Sequence, residues 1–328
     1  MGSRTWLVLC LSVAGALSFL FTGHPEASWS LAQIDDYLLN ILILAGINVI
    51  LATSLNIVNG HTGQFSLGHA GFMAVGAYGS AALTQINGKV CLASLAFLGA
   101  AAPVALFCLS LLTGGVLAAI AGLAVGLPSL RLKGDYLAIV TLGFGEIIRV
   151  MIQNTDAVGG ARGLTGIPAQ TTLGWTWCLA VLCVYCVSSL VNSTYGRGFL
   201  AVRDDEISAE SMGINTTRYK VTAFVVGAFF AGLAGALYAH LIGYITPEGF
   251  SFLKSVDVVV MVILGGMGST AGVTLAAVGL TFLNEALRQA EQYRMVAFAL
   301  LLIVLMITRP QGLLGGLDRL FPKKGGRR

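Results

Sequence analysis

Charged side chains are scarce in this sequence. Only 10% of its 328 residues are Asp, Glu, Lys or Arg, whereas 56% are hydrophobic; a soluble domain is about a quarter charged. Mean hydropathy is +0.84, and so little polar surface cannot cover a water-soluble globule. We therefore expect a polytopic membrane protein, and a catalytic domain in water is excluded.

Motifs for catalysis, metal binding and nucleotide binding are absent as well. The sequence has no G-x-x-x-x-G-K-[ST] loop, which would cradle ATP phosphates, and no H-E-x-x-H or G-x-S-x-G. Its histidines show no metal-ligand spacing. Its net charge of +4 comes without the clusters of basic and aromatic residues that bind nucleic acids. We predict no catalytic residues, no metal, no cofactor bound by this chain and no nucleic-acid partner.

The cysteines do not form the pattern of a disulfide-bonded scaffold. All six fall inside apolar stretches, where Cys183 and Cys186 spell a CxxC motif. That motif can indicate redox or zinc chemistry, but within a span we interpret both residues as small apolar packing residues.

Apolar stretches of about 20 residues, the length that crosses a bilayer as a helix, recur along the whole chain. They predict an all-α polytopic membrane protein with about 8–10 transmembrane helices, arranged as a single transmembrane domain over residues 1–328. The stretches lie at 5–22, 38–58, 66–86, 90–127, 135–153, 173–192, 220–241, 256–283 and 294–308.

The first stretch, residues 5–22, follows Arg4 and has two interpretations. A basic residue before an apolar run is typical of a signal peptide, but this run is longer than a usual signal core and no A-x-A cleavage pattern follows it. We favour a retained first span.

Basic residues predict the orientation, since Lys and Arg gather on the cytoplasmic side. Besides Arg4, they cluster at Arg131 and Lys133, in the loop 193–220 and in the tail 309–328. We therefore predict that all of these segments are cytoplasmic.

This orientation constrains three other segments. It puts the loop near 154–172 outside, and it requires 90–127 to be one long helix, tilted or interrupted around Pro103. It also requires 256–283 to double back as two short segments, broken at the glycines of 265–268. Broken backbone at membrane depth must be covered by protein or line a water-filled cavity.

Two glycine-rich breaks interrupt the apolar runs, at residues 60–68 and 265–272. Both share G-x-x-G followed by small polar residues and a glycine-spaced apolar run. Paired broken segments are typical of transporters built from an internal repeat, with the path at the repeat interface. We predict an inverted internal repeat; the alternative is that the glycines only allow close helix packing. The candidate path residues here are Gln64, Ser66, His69, Gly265, Gly268 and Ser269.

Glu146 is the most informative ionisable residue within a predicted span, because charges there are costly and usually functional. Arg149 follows three residues later, so the two can pair along one helix face. Simple pairing and a role in the path are both open. For His69, a local hydrogen bond competes with a role in the path, and Asp257 suits the start of a helix.

The loop 193–220 carries the most specific polar pattern. Asp204 and Asp205 can cap a short helix, and Gly213 can end it in the left-handed conformation. Such a helix can lie on the membrane surface, or it can present apolar side chains to the groove of a partner.

Within this loop, Glu206-x-x-Ala209-x-x-x-Gly213 resembles the segment by which the permeases of ABC importers dock onto their ATPase subunits. More specifically, the sequence resembles branched-chain amino acid ABC permeases of the LivM type over about residues 38–314. The matching stretches follow the family order: GQFSLGHAGF at 63–72, LRLKGDYLAIVTLGFGE at 130–146, GG at 159–160, GLTGIP at 163–168, GGMGS at 265–269 and RPQGL at 309–313.

The resemblance implies a permease subunit in the bacterial inner membrane that moves Leu, Ile and Val by ATP-driven alternating access, without chemistry of its own. It implies a homologous LivH-type permease, two cytoplasmic ATPases that use the ATP, a periplasmic substrate-binding protein and membrane lipid as partners. The implied ATPase-docking residues are Arg203, Asp204, Glu206, Ala209, Glu210 and Gly213.

Three other functions remain open. Related permeases move urea or short amides, and a sparsely charged path suits these as well as zwitterions. A secondary transporter or channel would run without an ATPase, and the docking-like loop argues against it. A membrane enzyme would need catalytic side chains clustered near one interface, and the sequence shows none.

Overall fold

The computed structural model describes residues 36–86, 101–129 and 135–290, and the single positions 88, 91, 99, 296, 300, 303, 304, 307 and 312. The predicted spans 5–22 and 294–308, the tail 309–328, and Arg131 with Lys133 lie outside the continuous ranges.

Helices make up most of the described chain. In order, they are α1 Asp36–Asn56, continued by a π-helical turn Ile57–His61; α2 His69–Gln85; α3 Ala102–Ser129; α4 Asp135–Gln153; α5 Leu173–Asn192; α6 Thr194–Asp204; α7 Glu206–Ser211; α8 Thr216–Ile242; α9 Phe252–Gly265; and α10 Thr270–Ala286. Two short strands, β1 Leu164–Thr165 and β2 Tyr244–Ile245, pair antiparallel and join the loops after α4 and α8.

Within the described residues, five helical segments are long and apolar enough to cross a membrane. The prediction of an all-α polytopic membrane protein is thereby confirmed. Two of them, α4 and α5, have the bounds expected from the sequence, 135–153 and 173–192. The five segments are Asp36–His61, Ala102–Ser129, Tyr136–Gln153, Leu173–Asn192 and Thr216–Ile242.

The predicted span 66–86 is wrong at its beginning. Gly63 takes a φ of +69°, which turns the chain out of the π-helical turn. The residues after it run without helix as far as Gly68, so α2 contains only the 17 residues from His69 to Gln85.

Two other helix starts differ from the prediction. Helix α3 begins at Ala102, so Pro103 lies in its first turn, where a missing N–H costs nothing; most of residues 90–100, the earlier part of the predicted long helix, lie outside the described residues. Helix α8 begins at Thr216 rather than at residue 220, because Asn215 Oδ1 accepts the N–H of Arg218 at 3.0 Å and caps the helix.

Helices α9 and α10 form a hairpin, as the glycine break predicted. Lys254 of α9 and Thr281 of α10 both contact Asn48 of α1, through Lys254 Nζ to Asn48 Oδ1 (3.5 Å) and Asn48 Nδ2 to Thr281 Oγ1 (2.9 Å). The turn between them lies further along α1, where the N–H of Gly268 donates to Asn56 Oδ1 at 2.9 Å. The chain therefore runs along α1 in α9 and returns in α10.

Two units of the chain run in opposite directions. In each, a long helix is followed by a non-helical return and a shorter helix: α1, 62–68 and α2 in one, and α8, 243–251 and α9 in the other. Gly227 of α8 packs on Ser54 near the end of α1. The far end of α8, at Leu237, and the middle of α1, at Gly46, lie instead beside the start of α5. Helices α1 and α8 are therefore antiparallel.

This arrangement has the form of the predicted inverted repeat, but it pairs different segments. The segment equivalent to 60–68 is 243–251, which returns along α2 through the hydrogen bond from Tyr78 Oη to Ile245 O. The predicted equivalent, 265–272, instead turns at the same end of the bundle as 60–68, because Gly60 packs directly against the backbone of Gly268. Similar motifs therefore mark neighbouring hairpin tips and not equivalent repeats.

Glycines allow close packing of α2, α3 and α8 in the core. Gly76 of α2 faces Gly232 of α8, and a side chain on either would collide with the other helix. Gly114 of α3 lies against Gly76 O, and Gly235 lies against Met73 O. Close packing of this kind is the usual means of holding membrane helices together. Some glycines of this chain therefore allow close helix packing, and others break the helices at 60–68 and 265–272.

Candidate functional site

A small cleft lies where the first turns of α2 and α9 meet α4. The N–H of Ala70 in α2 donates to Ser255 Oγ in α9 at 3.0 Å, and the N–H of Leu67 donates to Thr141 Oγ1 in α4 at 3.1 Å. These bonds hold three elements around one small volume. Its lining residues are Leu67, Ala70, Gly71, Leu142, Gly145, Glu146, Phe250, Ser251, Phe252 and Ser255.

The cleft lies near the middle of the membrane-spanning part of the bundle. Lys254, next to Ser255, reaches Asn48, which is half-way along the span Asp36–His61. His69, next to Ala70, bonds through Nε2 to Ser54 Oγ at 2.8 Å. Helix α9 thus begins near mid-depth and α2 begins between there and the end of α1, and helix starts at such depths require a protein-covered or water-filled surrounding.

Glu146 lies in the wall of this cleft and pairs with Arg149. Arg149 Nε donates to Glu146 Oε2 at 2.7 Å; the Arg149 side chain is 27% exposed and that of Glu146 is 34% exposed. An ion pair this exposed within a span is too polar for lipid. This side of α4 therefore faces water or protein, and the predicted role of Glu146 in the path stays a prediction.

Lys254 and Asp257 form a second group of charged residues at this depth. Both are half-buried in the first two turns of α9, so Asp257 lies one turn later than the helix start expected for it. Sequence reasoning passed over Lys254. Its signal was a lysine immediately before the apolar run of a predicted span.

Buried polar groups in and just before the glycine-rich break 60–68 have no hydrogen-bond partner among the described residues. Gln64 is only 6% exposed, and neither its Oε1 nor its Nε2 has a hydrogen-bond partner among the described residues. Thr53 Oγ1 and Asn56 Nδ2 are in the same situation. Each buried polar group without a hydrogen bond lowers the stability by about 1–3 kcal/mol. This cost is smaller where a transport path brings water or substrate to bond with the group.

The other predicted path residues lie either beside the cleft or in the glycine-rich breaks 60–68 and 265–272. His69 lies beside the cleft in its local hydrogen bond. The N–H of Ser66 donates to Asn59 Oδ1 at 3.2 Å, Ser269 caps α10 by accepting the N–H of Gly272 at 3.1 Å, and Gly265 packs against Gly272. The structure thus brings the two predicted breaks together, with Glu146 and His69 nearer the middle.

The predicted docking segment forms the short helix α7. Asp205 alone caps it: Oδ1 accepts the N–H of Ser208 at 3.1 Å and of Ile207 at 2.9 Å. These bonds, the one from the Ser208 N–H foremost, lower the pKa of Asp205 below its usual value. Asp204 instead pairs with Arg203 at 2.9 Å. Gly213 follows α7 with a φ of +83°, as predicted.

Helix α7 is fixed to α8 on one face and open on the other. Glu206 Oε1 lies 2.7 Å from Nζ of the buried Lys220, and Thr216 Oγ1 donates to Glu210 Oε1 at 2.8 Å. Lys220 was predicted only as a topology marker, and its buried pairing could not be read from the sequence.

Two large apolar side chains protrude from α7 and its C-terminal cap, among exposed polar residues. Ile207 is 68% exposed and Met212 is 83% exposed, whereas Ala209 is 5% exposed and packs inward. The resemblance implied Ala209 as one of the ATPase-docking residues. The structure instead gives it a place between α7 and the rest of this chain, and leaves Ile207 and Met212 as the protruding residues.

These features define an all-α, multi-pass membrane protein in which broken helices meet at mid-depth beside a charged pair. A model of the family described as "Branched-chain amino acid transport system / permease component" matches residues 37–307. The chain belongs to this family, and it is a multi-pass protein of the inner membrane.

Individual relatives agree with the family. The chain is 40% identical to the high-affinity branched-chain amino acid transport system permease protein LivM of Salmonella typhimurium and 39% identical to that of Escherichia coli, each over 235 residues. These matches cover 61% of this chain and 55% of the relatives. LivH of Salmonella typhimurium is 28% identical over 180 residues, 54% of this chain and 58% of LivH. No solved structure matches the chain significantly.

Proposed function

We propose that this protein is the permease subunit of an ABC importer for branched-chain amino acids. The observation that carries the proposal is the mid-depth cleft between the starts of α2 and α9, with Glu146 in its wall, in a chain of this family. Discontinuous helices that meet near the midplane at a repeat interface are the usual setting of a transport path.

The chemistry of the cleft suits an aliphatic amino acid. The Glu146 carboxylate can attract an ammonium group, and the positive ends of α2 and α9 favour a carboxylate. Leu142 and Phe250 give the cleft an apolar wall for an aliphatic side chain. The names of the LivM relatives, which specify branched-chain amino acids, support this choice of substrate.

The energy for transport would come from partner subunits and not from this chain. We propose that two cytoplasmic ATPases bind and hydrolyse ATP, that the exposed Ile207 and Met212 of α7 enter their grooves, and that this chain binds no cofactor. The existence of LivH relatives supports a second, homologous permease subunit, and a periplasmic binding protein would deliver substrate to the outer loops.

The test is uptake by the complete complex in proteoliposomes. Radioactive leucine should accumulate with the binding protein and ATP, and it should not accumulate with a non-hydrolysable ATP analogue. Uptake without ATP would identify a secondary transporter or channel. Accumulation of radioactive urea instead of leucine would replace the substrate and leave the permease assignment intact.

A further inference from the structure

Arg203 connects the docking segment to both hairpin tips at the inner end of the bundle. We propose that Arg203 is a positioning residue that holds these tips together and releases them when α7 moves. The inner tips are defined here as residues 60–64 and 265–269. The inference rests on the proposed function, because it assigns a gating role within the same path.

The first contact is between the stem of Arg203 and Gly63. A Cβ atom built on Gly63 would lie 2.8 Å from Arg203 Cγ and 3.3 Å from Arg203 Cα. The stem therefore occupies the space that a side chain at this position would need. Gly63 also has a φ of +69°, so the tip is shaped to receive the arginine.

The guanidinium group of Arg203 lies beside Gly268 of the second tip. A Cβ atom on Gly268 would lie 3.5 Å from Arg203 Nη1 and 3.3 Å from Gly60 O. Gly60 itself packs against the Gly268 backbone. One arginine thus packs against Gly63 of the first tip and lies beside Gly268 of the second, where the two tips meet.

The third connection is mechanical. Arg203 lies in the last turn of α6, two residues before Asp205, which caps α7. Asp204 holds the guanidinium at 2.9 Å. A force applied to α7 through its exposed face would reach Arg203 across this short corner. The buried amide of Gln64, which has no hydrogen-bond partner among the described residues, lies on the first of the tips that Arg203 holds.

This role differs from the one expected for Arg203 as part of the ATPase-docking surface. A docking residue would affect attachment of the ATPase and would leave the tips unchanged. A residue that holds the tips would affect their accessibility and the amount of substrate imported per ATP. The two roles therefore predict different measurements on the same variant.

The experiment uses the complete complex in membrane vesicles, with Ser269→Cys as a reporter at the second tip, since Ser269 is buried. The variants are Arg203→Ala and Arg203→Lys, and Arg197→Ala is the matched control, because Arg197 lies on the same helix and bonds only locally to Thr194. A small polar thiol reagent without ATP measures accessibility, with vesicles lacking the reporter as the background from native cysteines.

We expect Arg203→Ala to retain the ATPase, to label at Ser269→Cys at least about fivefold faster, and to import less substrate per ATP; fivefold is the lower end of typical coupling between two sites. The labelling rate of Arg203→Lys should lie between that of Arg203→Ala and that of the unaltered complex. Unchanged labelling would overturn the proposal, and loss of the ATPase with unchanged labelling would assign Arg203 to the dock.

Gly63→Ala tests the same contact from the other side and decides the question if Arg203→Ala fails to insert. It should displace the arginine stem and raise labelling as well. Gly166→Ala controls for backbone strain, since Gly166 has a φ of +80° but only an ordinary contact at 3.7 Å. Equal labelling in both glycine variants would contradict the proposal. Failure of ATP-driven uptake in the unaltered complex would instead contradict the proposed function, because labelling does not depend on uptake.

Discussion

Glu146 and Arg149 occupy a depth at which neither charge would be stable in lipid. Their bond at 2.7 Å makes the pair neutral as a unit, and its partial exposure leaves the carboxylate beside the cleft. Pairing and function are therefore compatible for these two residues. The ion pair can persist within the membrane because it is neutralised, and one side of it remains open to the cleft.

Replacing Glu146 with Gln should lower leucine uptake about tenfold or more per amount of inserted protein. Gln keeps an oxygen that can accept the bond from Arg149, but it removes the charge that would attract an ammonium group. A hydrogen bond to a charged group contributes about 1.5–3 kcal/mol, and 1.4 kcal/mol corresponds to about a factor of ten. Uptake by vesicles of matched protein content measures the effect.

Asp156→Asn is the control for this substitution, because it also neutralises an acid but lies exposed in the loop after α4. It should transport normally. If Glu146→Gln transported as well as Asp156→Asn, Glu146 would have only its structural role.

Sequence reasoning at this scale succeeded where the partners are close along the chain. The spacing of Glu146 and Arg149 was enough to predict their pairing. The contact of Ala70 with Ser255 could not be predicted, because it joins two helix starts that lie far apart in the sequence and depends on how the chain returns to mid-depth.

The position of the short helix α7 depends on its ion pair with α8. The ammonium group of Lys220 is buried and its counter-ion is Glu206. Glu206→Gln should therefore loosen α7 and lower the thermal stability of the purified protein, because an uncompensated buried charge costs about 3 kcal/mol or more. A thermal unfolding curve and limited proteolysis between α6 and α7 would measure both effects.

Glu210→Gln provides the comparison on the same helix. Its amide oxygen can still accept the bond from Thr216, so stability should change little. Equal melting temperatures for the two glutamine variants would show that the Lys220 pair does not anchor α7.

The cap of α7 gives a prediction that depends on pH. Because the pKa of Asp205 in the folded chain is below its usual value of 3.8, its contribution is fully present above that value and is lost as pH falls through the lowered pKa. ATPase attachment should thus be independent of this group between about pH 5 and 8. Asp205→Ala should weaken attachment and Asp205→Asn should preserve it, since Asn also caps helices; equal co-purification of ATPase by both would argue against the cap.

Element boundaries were predictable where apolar runs end abruptly. The bounds of α4 and α5 followed from hydropathy alone. The start of α8 did not, because Asn215 extends that helix beyond its apolar stretch into polar residues that a hydropathy window excludes. The late start of α2 was hidden for the opposite reason: its apolar stretch continues through residues that the turn at Gly63 keeps out of the helix.

At the scale of the molecule, the contacts fix which loops share a side. Helix α8 begins beside α7 and ends beside the strand pair, so the loop after α4 and the loop after α8 lie together at the opposite end from α7. The tail 309–328, predicted to be inside with α7, lies beyond the continuous described ranges. The overall orientation remains a prediction from the basic residues.

Ala161→Cys in the outer loop should react with a membrane-impermeant thiol reagent in intact spheroplasts. Met212→Cys should react only after permeabilisation, although both positions are exposed in the structure. Spheroplasts without either substitution give the background. The reverse pattern would invert the orientation, and a reporter fused after Gly325 would show whether the tail shares the side of Met212.

The fold class could be predicted from composition and hydropathy, and the family from its motifs. The existence of an inverted repeat could be predicted, but the segments that are equivalent within it could not. Shared glycine patterns suggested that 60–68 and 265–272 were equivalent, but such patterns reflect local turning and close approach. Equivalence within a repeat depends on the direction of each element, which only the long-range contacts of α1, α8 and α9 reveal.

The contact of Gly76 with Gly232, and of both with α3, has a consequence for saturation mutagenesis. Almost any substitution at these positions would separate two backbones, so they should tolerate change as poorly as residues that touch substrate. A map of mutational sensitivity would therefore show a second intolerant region, remote from the cleft and unrelated to selectivity. The two regions would separate only if surface abundance and substrate preference were scored independently for every variant.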